Sequence, residues 1–402
     1  MFNGRNRASK QRRRVSAAGL VLASLVGCDG LASDSATPHD VATSRGALST
    51  GEAAGLGSEI AARIQSFVDP STNAQLRPLR AVIIEVDGHT ELEHYYRGSS
   101  SETSNVFSVT ASVVGTLIGL ALSDGYLRSI DQTLSELLPA YAADMEPEEA
   151  AITLRELLTM TAGLRAGHVG RLHDPGGGDL LLATDTPTWL SADDWVRSIL
   201  ADQLQQPPGD GFAYSHASSH LLSAVLTEAV GMSVLDYAQE KLLVPLGIRS
   251  RPAADLLAVE KNLPAYERAG FSWPHDPQGV QAGFGWLKLT ARDMAAFGRL
   301  YLDGGHWHGK QVVPAAWVDA ATTEQVRANS ITESFGYQWW VTTAGGHAAY
   351  AAIGFGGQLI EVVPDLRLVA VFAADITKND APVDPYSYVS ILSLIVHEVE
   401  NK

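Results

Sequence analysis

The distribution of strand-like and helix-like segments along the chain most strongly limits its fold. Patterns typical of buried strands occur near the start, at Ala81–Gly88 and Thr90–Arg97, and again near the end, between Phe335 and Asp375. Residues 130–330, between these two regions, have mostly the patterns of helices and loops. This order predicts a mixed α/β (α+β) chain with one central antiparallel sheet built from both chain ends, flanked by helices, and a mostly helical insert.

Several separate elements are predicted within this arrangement. The segment Gly163–Pro187 is predicted to be a long loop. Apolar residues at helical spacing predict helices at Glu52–Phe67, Ser108–Ser123, Leu154–Met160, Ala192–Leu200, Ser218–Val230, Leu235–Leu242, Ala291–Leu302 and Tyr386–Glu398. In the last region the predicted strands are Tyr337–Thr343, Tyr350–Ile353, Gln358–Val363 and Leu368–Ala373.

The N-terminal 51 residues have the pattern of an export signal and a tether. Residues 1–27 hold six Lys or Arg and no acidic residue, and their apolar stretch of 13 residues is too short to span a bilayer. The stretch ends in Leu25-Val26-Gly27-Cys28, which resembles the lipobox of bacterial lipoproteins. We therefore expect residues 1–27 to be a signal peptide, with lipid attached at Cys28 and a flexible tether over residues 28–51. The alternative is an ordinary secretory signal with an incidental cysteine.

The charge and the cysteine content argue against several classes of function. The formal net charge is −16, and without residues 1–27 there are 23 basic against 45 acidic residues. Such an acidic surface repels phosphate backbones, so we expect no nucleic-acid partner. The single cysteine excludes an intrachain disulfide and a cysteine-based metal cluster. No metal or organic cofactor is implied, and we expect a monomer.

Three segments could carry chemistry. The first is Phe107–Gly115, at the start of a predicted helix, and the second is Phe212–Ser223, which begins Phe-Ala-Tyr-Ser-His. The third is Ile353–Gln358, in the last strand region. Together they resemble the serine β-lactamase and penicillin-binding protein superfamily, in the branch of class C β-lactamases, D-alanyl-D-alanine carboxypeptidases and related esterases and amide hydrolases. Supporting stretches between them are Ser129–Gln132, Leu154–Gly163, Val244–Ile248 and Leu289–Gly298.

The resemblance covers the chain from about Leu56 to its C-terminus and implies a β-lactamase-like domain over residues 52–402. It also implies a mechanism in which a serine attacks an amide or ester and forms an acyl-enzyme. Ser108 occupies the nucleophile position of the S-x-x-K motif, and Tyr214 matches the tyrosine of the second motif. A serine hydroxyl is a weak nucleophile and needs a base within hydrogen-bond reach. On a helix the fourth residue of S-x-x-K shares a face with the serine.

The third motif is expected to complete the oxyanion site. Backbone N–H groups, one from Ser108 and one from Phe355 or a neighbour on the closing strand, would stabilise the oxyanion. Gly354, Gly356 and Gly357 allow a substrate to approach the backbone closely, and Gln358, at the end of the same motif, is a further candidate contact. In the neighbouring Trp339–Trp340 pair, one ring is expected to pack the sheet and the other to line the cleft.

The chain departs from the family pattern at one decisive position. Residue 111 is alanine where the family has the lysine, and no Ser-x-x-Lys occurs anywhere in the sequence. Ala111 can neither accept a proton nor supply positive charge. Loss of a general base costs about two to four orders of magnitude in rate, and catalytic groups that act as a unit often fail together. We therefore expect weak or absent turnover.

Three hypotheses account for Ala111. The chain is a natural pseudoenzyme that binds peptidoglycan peptides or an envelope partner, or it stays active through another base. His216, two residues after Tyr214, is the candidate substitute, since histidine has an unperturbed pKa of about 6.5. In the third hypothesis, the alanine replaces the lysine of an active enzyme. The N-terminal pattern places the protein in the cell envelope, anchored through Cys28, and the resemblance implies a small-molecule or peptide amide or ester as ligand.

Overall fold

The computed structural model describes most of the chain after residue 77. The described residues are 78–165, 169–173, 179–183, 188–328, 334–375 and 386–401, with residues 62, 66, 69, 71 and 76 before them. The predicted signal peptide, Cys28 and the tether lie outside the described residues. So does the predicted helix Glu52–Phe67, apart from residues 62 and 66, which are helical.

Most of the strands belong to one eight-stranded sheet. The strands are β1 (Leu79–Val86), β2 (His89–Tyr95), β3 (Ser104–Asn105), β4 (Val169–His173), β5 (Asp179–Ala183), β6 (Lys288–Leu289), β7 (His306–Trp307), β8 (Lys310–Gln311), β9 (Val326–Arg327), β10 (Ser334–Phe335), β11 (Trp340–Ala344), β12 (His347–Gly354), β13 (Gln358–Val363) and β14 (Leu368–Ala374). The large sheet has the order β2-β1-β14-β13-β12-β11-β10-β9, and every neighbouring pair is antiparallel.

The two ends of the domain meet inside this sheet. β1 from the start of the domain pairs with β14 from its end, with Ile83 opposite Val371. All eight residues of β1 and all seven of β14 are buried, because both faces of the sheet are covered. The prediction of a mixed α/β fold with one antiparallel sheet from both chain ends is therefore confirmed.

Helices fill the region between the two groups of strands and close the chain. They are α1 (Val109–Ser123), α2 (Leu134–Leu137), α3 (Pro147–Ala150), α4 (Leu154–Leu158), α5 (Trp195–Leu200), α6 (His216–Val230), α7 (Val234–Ala238), α8 (Leu263–Arg268), α9 (Ala291–Leu302), α10 (Ala315–Ala321) and α11 (Tyr386–Glu400). The predicted helix Leu235–Leu242 is divided, because α7 continues as a π-helical turn over Gln239–Leu243.

One predicted loop contains regular structure. Within Gly163–Pro187, β4 and β5 form a two-stranded antiparallel hairpin. The prediction of an irregular segment was wrong there, because each strand has only five residues and lacks the alternation that indicates a strand.

The sheet separates two hydrophobic cores. Since successive side chains of a strand point to opposite faces, Ile360 and Val362 of β13 pack into the larger core while Leu359 and Val363 pack into the smaller one. The larger core lies between the sheet and the helical region, and the smaller core lies between the sheet and α11. α1 is central to the larger core, since every residue from Val109 to Ala121 is buried.

None of the described helices is, by itself, long and apolar enough to cross a membrane. The pair His216–Val230 and Val234–Leu243 reaches the required length and hydropathy together, but it is bent by 80° at its break.

Candidate active site

Ser108 lies at the N-terminal end of the central helix. It is the N-cap residue of α1, it is half-buried, and the helix runs from it into the larger core. The first amides of a helix have no partner inside the helix, and the helix dipole places partial positive charge at this end. A negative charge that develops near Ser108 would therefore meet a favourable field.

The backbone before Ser108 is held in an unusual conformation. Phe107 has φ +47°, in the left-handed region that is unfavourable for a residue with a Cβ. The side-chain oxygen of Asn105 accepts hydrogen bonds from the backbone N–H of Phe107 (2.9 Å) and of Trp286 (3.0 Å). Trp286 is also left-handed, with φ +69°. Asn105 thus fixes the turn that presents Ser108.

A small cavity adjoins the Ser108 side chain. It has a volume of about 10 Å³, which is about the space that one water molecule needs. Its polar side is formed by Ser108, Ser112, Tyr214 and Gln338, and Ala111 also lines it. The structure therefore brings Ser108, Ala111 and Tyr214 together.

Aromatic and aliphatic side chains form the other side of the cavity. Phe335, Trp340 and Ile353 line it, and the rings of Phe335 and Trp340 meet edge to face at 4.9 Å between centroids. Trp339 is completely buried in the larger core instead. The expected division of this tryptophan pair, one ring in the core and one at the cleft, is confirmed.

Tyr214 directs its hydroxyl towards Ser108. It precedes α6 by two residues, and its ring is nearly parallel to that of Trp340, with centroids 6.0 Å apart and an interplanar angle of 12°. Burial raises the pKa of Tyr214 above its ordinary value of 10, and a hydrogen bond with the Ser108 side chain opposes part of that rise. At neutral pH the phenol is protonated, so it can donate a proton to an oxygen at Ser108 but is a poor acceptor for the serine proton.

Ala111 presents only a methyl group where a base would act. It is 4% exposed and lies one helical turn after Ser108 on the same face of α1. Among the described residues that line the cavity there is no Lys, Arg, His, Asp or Glu. The buried Lys288 does not replace the missing amine, because its Nζ donates to the carbonyls of Tyr266, Glu267 and Ala269 at 2.5–3.2 Å.

His216 lies beside Tyr214 and is not among the residues that line the cavity. It is the first residue of α6, and its ring contacts those of Tyr214 (5.7 Å between centroids) and Phe284 (5.3 Å). Burial lowers the pKa of His216 to about 4, so the imidazole is neutral at pH 7. Its Nδ1 atom is buried without a hydrogen-bond partner in the described structure. The neutral imidazole is able to accept a proton, but the ring contacts Tyr214 and does not belong to the lining of the cavity at Ser108.

The third motif lies at a turn. Gly354 ends β12, and Phe355, Gly356 and Gly357 form the connection to β13, so Phe355 lies on the turn that leads into the closing strand. A Cβ at Gly354 would overlap the carbonyl oxygen of Val106. This close approach requires glycine and places the turn against the residues that precede Ser108.

Side chains of this turn differ in their exposure. Phe355 is 46% exposed and packs edge to face on Phe107, at 5.7 Å between centroids. Gly356 and Gly357 have φ values of +77° and +103°, which explains the two glycines. Gln358 is fully buried, and its side chain exchanges hydrogen bonds with the backbone of Ala374 in the neighbouring strand. The expected contact of the Gln358 side chain with substrate is thus not supported by its position, because that side chain completes the sheet.

Sequence reasoning missed Gln338 as a residue of the site. Its backbone is left-handed, with φ +62°, and its Nε2 donates to the carbonyls of Leu157 and Leu158 at 3.1 and 3.0 Å. Its Oε1 accepts from Ser219 at 3.0 Å, and its carbonyl accepts from Ser112 at 2.6 Å. No sequence pattern marks a glutamine that connects three helices, so nothing in the chain pointed to it.

The fold and the site together define a class of protein. A serine at the N-terminus of a central helix, beside an antiparallel sheet and facing a tyrosine from a helical region, is the arrangement of serine hydrolases with a β-lactamase-like fold. The profile of the beta-lactamase family matches residues 64–392. The chain therefore belongs to the beta-lactamase family.

Individual relatives are distant. The chain is 26% identical over 313 residues to penicillin-binding protein 4 of Amycolatopsis lactamdurans, in an alignment that covers 72% of this chain and 78% of that protein. It is 23% identical over 304 residues to the 6-aminohexanoate-dimer hydrolase of Paenarthrobacter ureafaciens, in an alignment that covers 71% of this chain and 69% of that protein.

Solved structures agree on the fold. A penicillin-binding protein homologue from Pyrococcus abyssi superposes with a TM-score of 0.62 at 16% identity, covering 85% of this chain and 77% of that one. A penicillin-binding protein homologue from Caulobacter crescentus gives a TM-score of 0.60 at 17% identity, covering 86% of this chain and 99% of that one. The predicted β-lactamase-like fold is confirmed.

Proposed function

We propose that the protein is a serine hydrolase homologue that keeps the nucleophile Ser108 and a proton donor, Tyr214, but has lost most of its turnover through Ala111. One observation carries this proposal. Ser108, Ala111 and Tyr214 border the same cavity, and the described lining of that cavity offers no amine. The fold of an amide or ester hydrolase is thus combined with an incomplete set of catalytic groups.

The chemical reason lies in the proton balance of the first step. When the Ser108 oxygen attacks a carbonyl, its proton must go to a base, and the carbonyl oxygen gains negative charge. The N-terminus of α1 supports that negative charge, but Tyr214 is protonated at neutral pH. Without an activated acceptor the step slows by about two to four orders of magnitude.

Intact-mass measurement of the full chain tests this function. The chain is incubated with a small neutral acyl ester, beside Ser108→Ala and Ala111→Lys. We expect a slow adduct that requires Ser108 and forms at least about 100-fold faster in Ala111→Lys, the lower end of the contribution of a general base. An adduct whose rate does not change in Ala111→Lys would show that another base already acts. No adduct in either chain would overturn the proposal.

The pH dependence of the adduct rate separates the two candidate bases. If Tyr214 accepts the proton, the rate should still rise above pH 10, because burial raises the pKa of this phenol. If His216 accepts it, the rate should already level off above about pH 5, since the pKa of His216 is about 4. A cation at residue 111 favours the phenolate, so Ala111→Lys should move the rising part of the profile to lower pH.

A second candidate function is a ligand-binding pseudoenzyme, with peptidoglycan peptides or an envelope protein as partner. The described lining of the cavity favours it, since that lining offers Ser108 no amine, imidazole or carboxylate to accept its proton. In this case Ser108 is never acylated, Ala111→Lys restores nothing, and a partner is retained by the full chain and by Ser108→Ala alike.

We further propose that the protein is exported and anchored in the cell envelope through a lipid on Cys28, as a monomer without nucleic-acid partners. The basic start, the short apolar stretch and the single cysteine support the export and the anchor, and the net charge of −16 argues against a nucleic-acid partner. Incorporation of labelled palmitate into the full chain, and its loss in Cys28→Ser, would support the anchor. Equal labelling of both chains would contradict it.

A further inference from the structure

The cavity beside Ser108 is bordered by a cluster of aromatic rings. We name the rings of Phe212, Tyr214, Phe335 and Trp340 the aromatic wall. Phe212 contacts Phe335 at 5.2 Å and Trp340 at 5.6 Å between centroids. Phe212, Tyr214 and Trp340 are only partly buried, so one side of the wall remains accessible. Accessible aromatic surface beside a nucleophile is a surface for apolar ligand groups.

The described surroundings of this wall offer no free cation to a carboxylate. The described cavity lining has no cationic side chain, and the turn Gly354–Gly357 has none either. Arg155, whose Nη1 donates to the hydroxyl of Tyr337, already pairs with Asp131 at 2.8 Å. Lys288 donates to three backbone carbonyls. The partial positive charge at the N-terminus of α1 lies at Ser108, where the carbonyl oxygen of a bound ester or amide would occupy it, so a carboxylate elsewhere on the same ligand would gain little from it.

Electrostatics at longer range acts in the same direction. The chain has a net charge of −16, so an anion approaches against the field of the whole molecule. The faces of aromatic rings carry negative quadrupole charge, and an ionised carboxylate against them loses hydration without gaining a cationic partner from the described cavity lining. A carboxylate in this site is therefore unfavourable for three independent reasons.

On these grounds we propose that the site selects ester or amide ligands without a carboxylate and rejects ligands that carry one, which includes penicillins and peptides with a free C-terminus. This inference rests on the proposed function, which places the scissile ester or amide group of the ligand at Ser108. The aromatic wall receives the apolar part of the ligand, and binding requires no counter-ion.

Calorimetric titration with matched ligands tests the selectivity without any chemical step. The full chain with Ser108→Ala is titrated with three anilides of similar length: pentananilide, succinanilic acid and 4-aminobutyranilide. We expect the neutral anilide to bind at least tenfold more tightly than the carboxylate. The ammonium compound should also bind more tightly than the carboxylate, because the net charge and the ring faces attract a cation. Binding of the carboxylate as tight as that of either other compound overturns the inference, and so does no binding of any of the three.

The labelling arm uses the 4-nitrophenyl esters of heptanoate and adipate on the unsubstituted chain, and Ala111→Lys, which adds an amine to the cavity lining, should reduce the preference between them. The neutral ester should label Ser108 at least tenfold faster than the acidic one. Selective binding of the neutral anilide without any labelling would overturn only the proposed residual acylation. Faster labelling of the unsubstituted chain by the adipate ester would overturn the selectivity itself.

Matched aromatic variants locate the binding surface. Trp340→Ala should weaken binding of the neutral anilide at least fivefold. Trp307→Ala removes another half-buried indole, one that packs on Arg299 in the β7–β8 hairpin, and should leave binding unchanged. If both variants weaken binding equally, or neither does, the aromatic wall is not the ligand surface.

Discussion

Asn105 is the side chain that fixes the backbone around the candidate nucleophile. Its Oδ1 is the only acceptor atom of that side chain, and both bound partners, Phe107 and Trp286, offer backbone N–H groups. Both partners have positive φ, which is unfavourable by roughly 1–2 kcal/mol for a residue with a side chain. The two hydrogen bonds offset this unfavourable backbone energy.

Removing that acceptor should destabilise the domain. Asn105→Ala loses both hydrogen bonds, and we expect the free energy of unfolding to fall by about 2 kcal/mol. Asn105→Asp keeps an acceptor oxygen in the same place and should recover most of that loss. Urea unfolding of the three chains measures the difference, and equal losses in the two variants would contradict this role.

For single residues, the sequence indicated part of the candidate site and could not indicate the rest. Ser108, Tyr214 and the cleft position of one tryptophan followed from motifs, and the structure places Ser108, Tyr214 and Trp340 at one cavity. Gln338 could not be predicted, because its role depends on a left-handed backbone and on carbonyls from another segment. The catalytic roles of Ser108 and Tyr214 remain predictions.

Among the elements, α1 depends on the absence of a side chain at Gly119. A Cβ there would overlap the indole of Trp317 in α10, and a rigid ring cannot bend away. Glycine in a helix normally costs about 1 kcal/mol relative to alanine. Here the close contact between α1 and α10 outweighs that cost.

Gly119→Ala should therefore destabilise the protein although alanine is the better helix former. We expect the free energy of unfolding to fall by about 1–3 kcal/mol, the usual range for overpacking. Gly270→Ala is the control, because a Cβ at Gly270 meets nothing within 4 Å. Thermal unfolding should separate the two variants, and a Gly119→Ala chain as stable as the unsubstituted one would show that α10 can move.

Predictions for elements succeeded where patterns were long and regular. α9 at Ala291–Leu302 and β13 at Gln358–Val363 have the predicted bounds. The edge strand β9 and its neighbour β10 have two residues each, too few for any periodicity, and they were not predicted. Their strand conformation comes from pairing with the sheet, which is tertiary information.

For the whole molecule, the buried sheet contains an acid that makes stability depend on pH. Glu361 of β13 is 3% exposed and shares its face of the sheet with the buried Leu359 and Val363, with Thr342 of β11 donating to its Oε1 at 2.7 Å. Burial raises the pKa of Glu361 from 4.5 to about 8. The folded chain therefore holds this proton over a pH range in which the unfolded chain releases it.

This linkage has a definite sign. Below pH 4.5 the carboxyl is protonated in both states and costs nothing through ionisation. Between pH 4.5 and about 8 the unfolded state gains by ionising, so the stability of the fold falls as the pH rises, and above about pH 8 the loss is constant. Each unit of pKa shift corresponds to about 1.4 kcal/mol, so the full loss is roughly 2–5 kcal/mol.

Glu361→Gln should remove that loss, because the amide has no charge to bury and its oxygen can still accept from Thr342. Urea unfolding at about pH 5 and about pH 8.5 measures the free energy of unfolding of both chains. Relative to the unsubstituted chain, the variant should be more stable at the higher pH than at the lower one, by about 2 kcal/mol or more. Glu228→Gln, at an exposed position of α6, is the matched control and should show no such shift. A difference between Glu361→Gln and the unsubstituted chain that stays the same at both pH values would mean that Glu361 ionises normally inside the sheet.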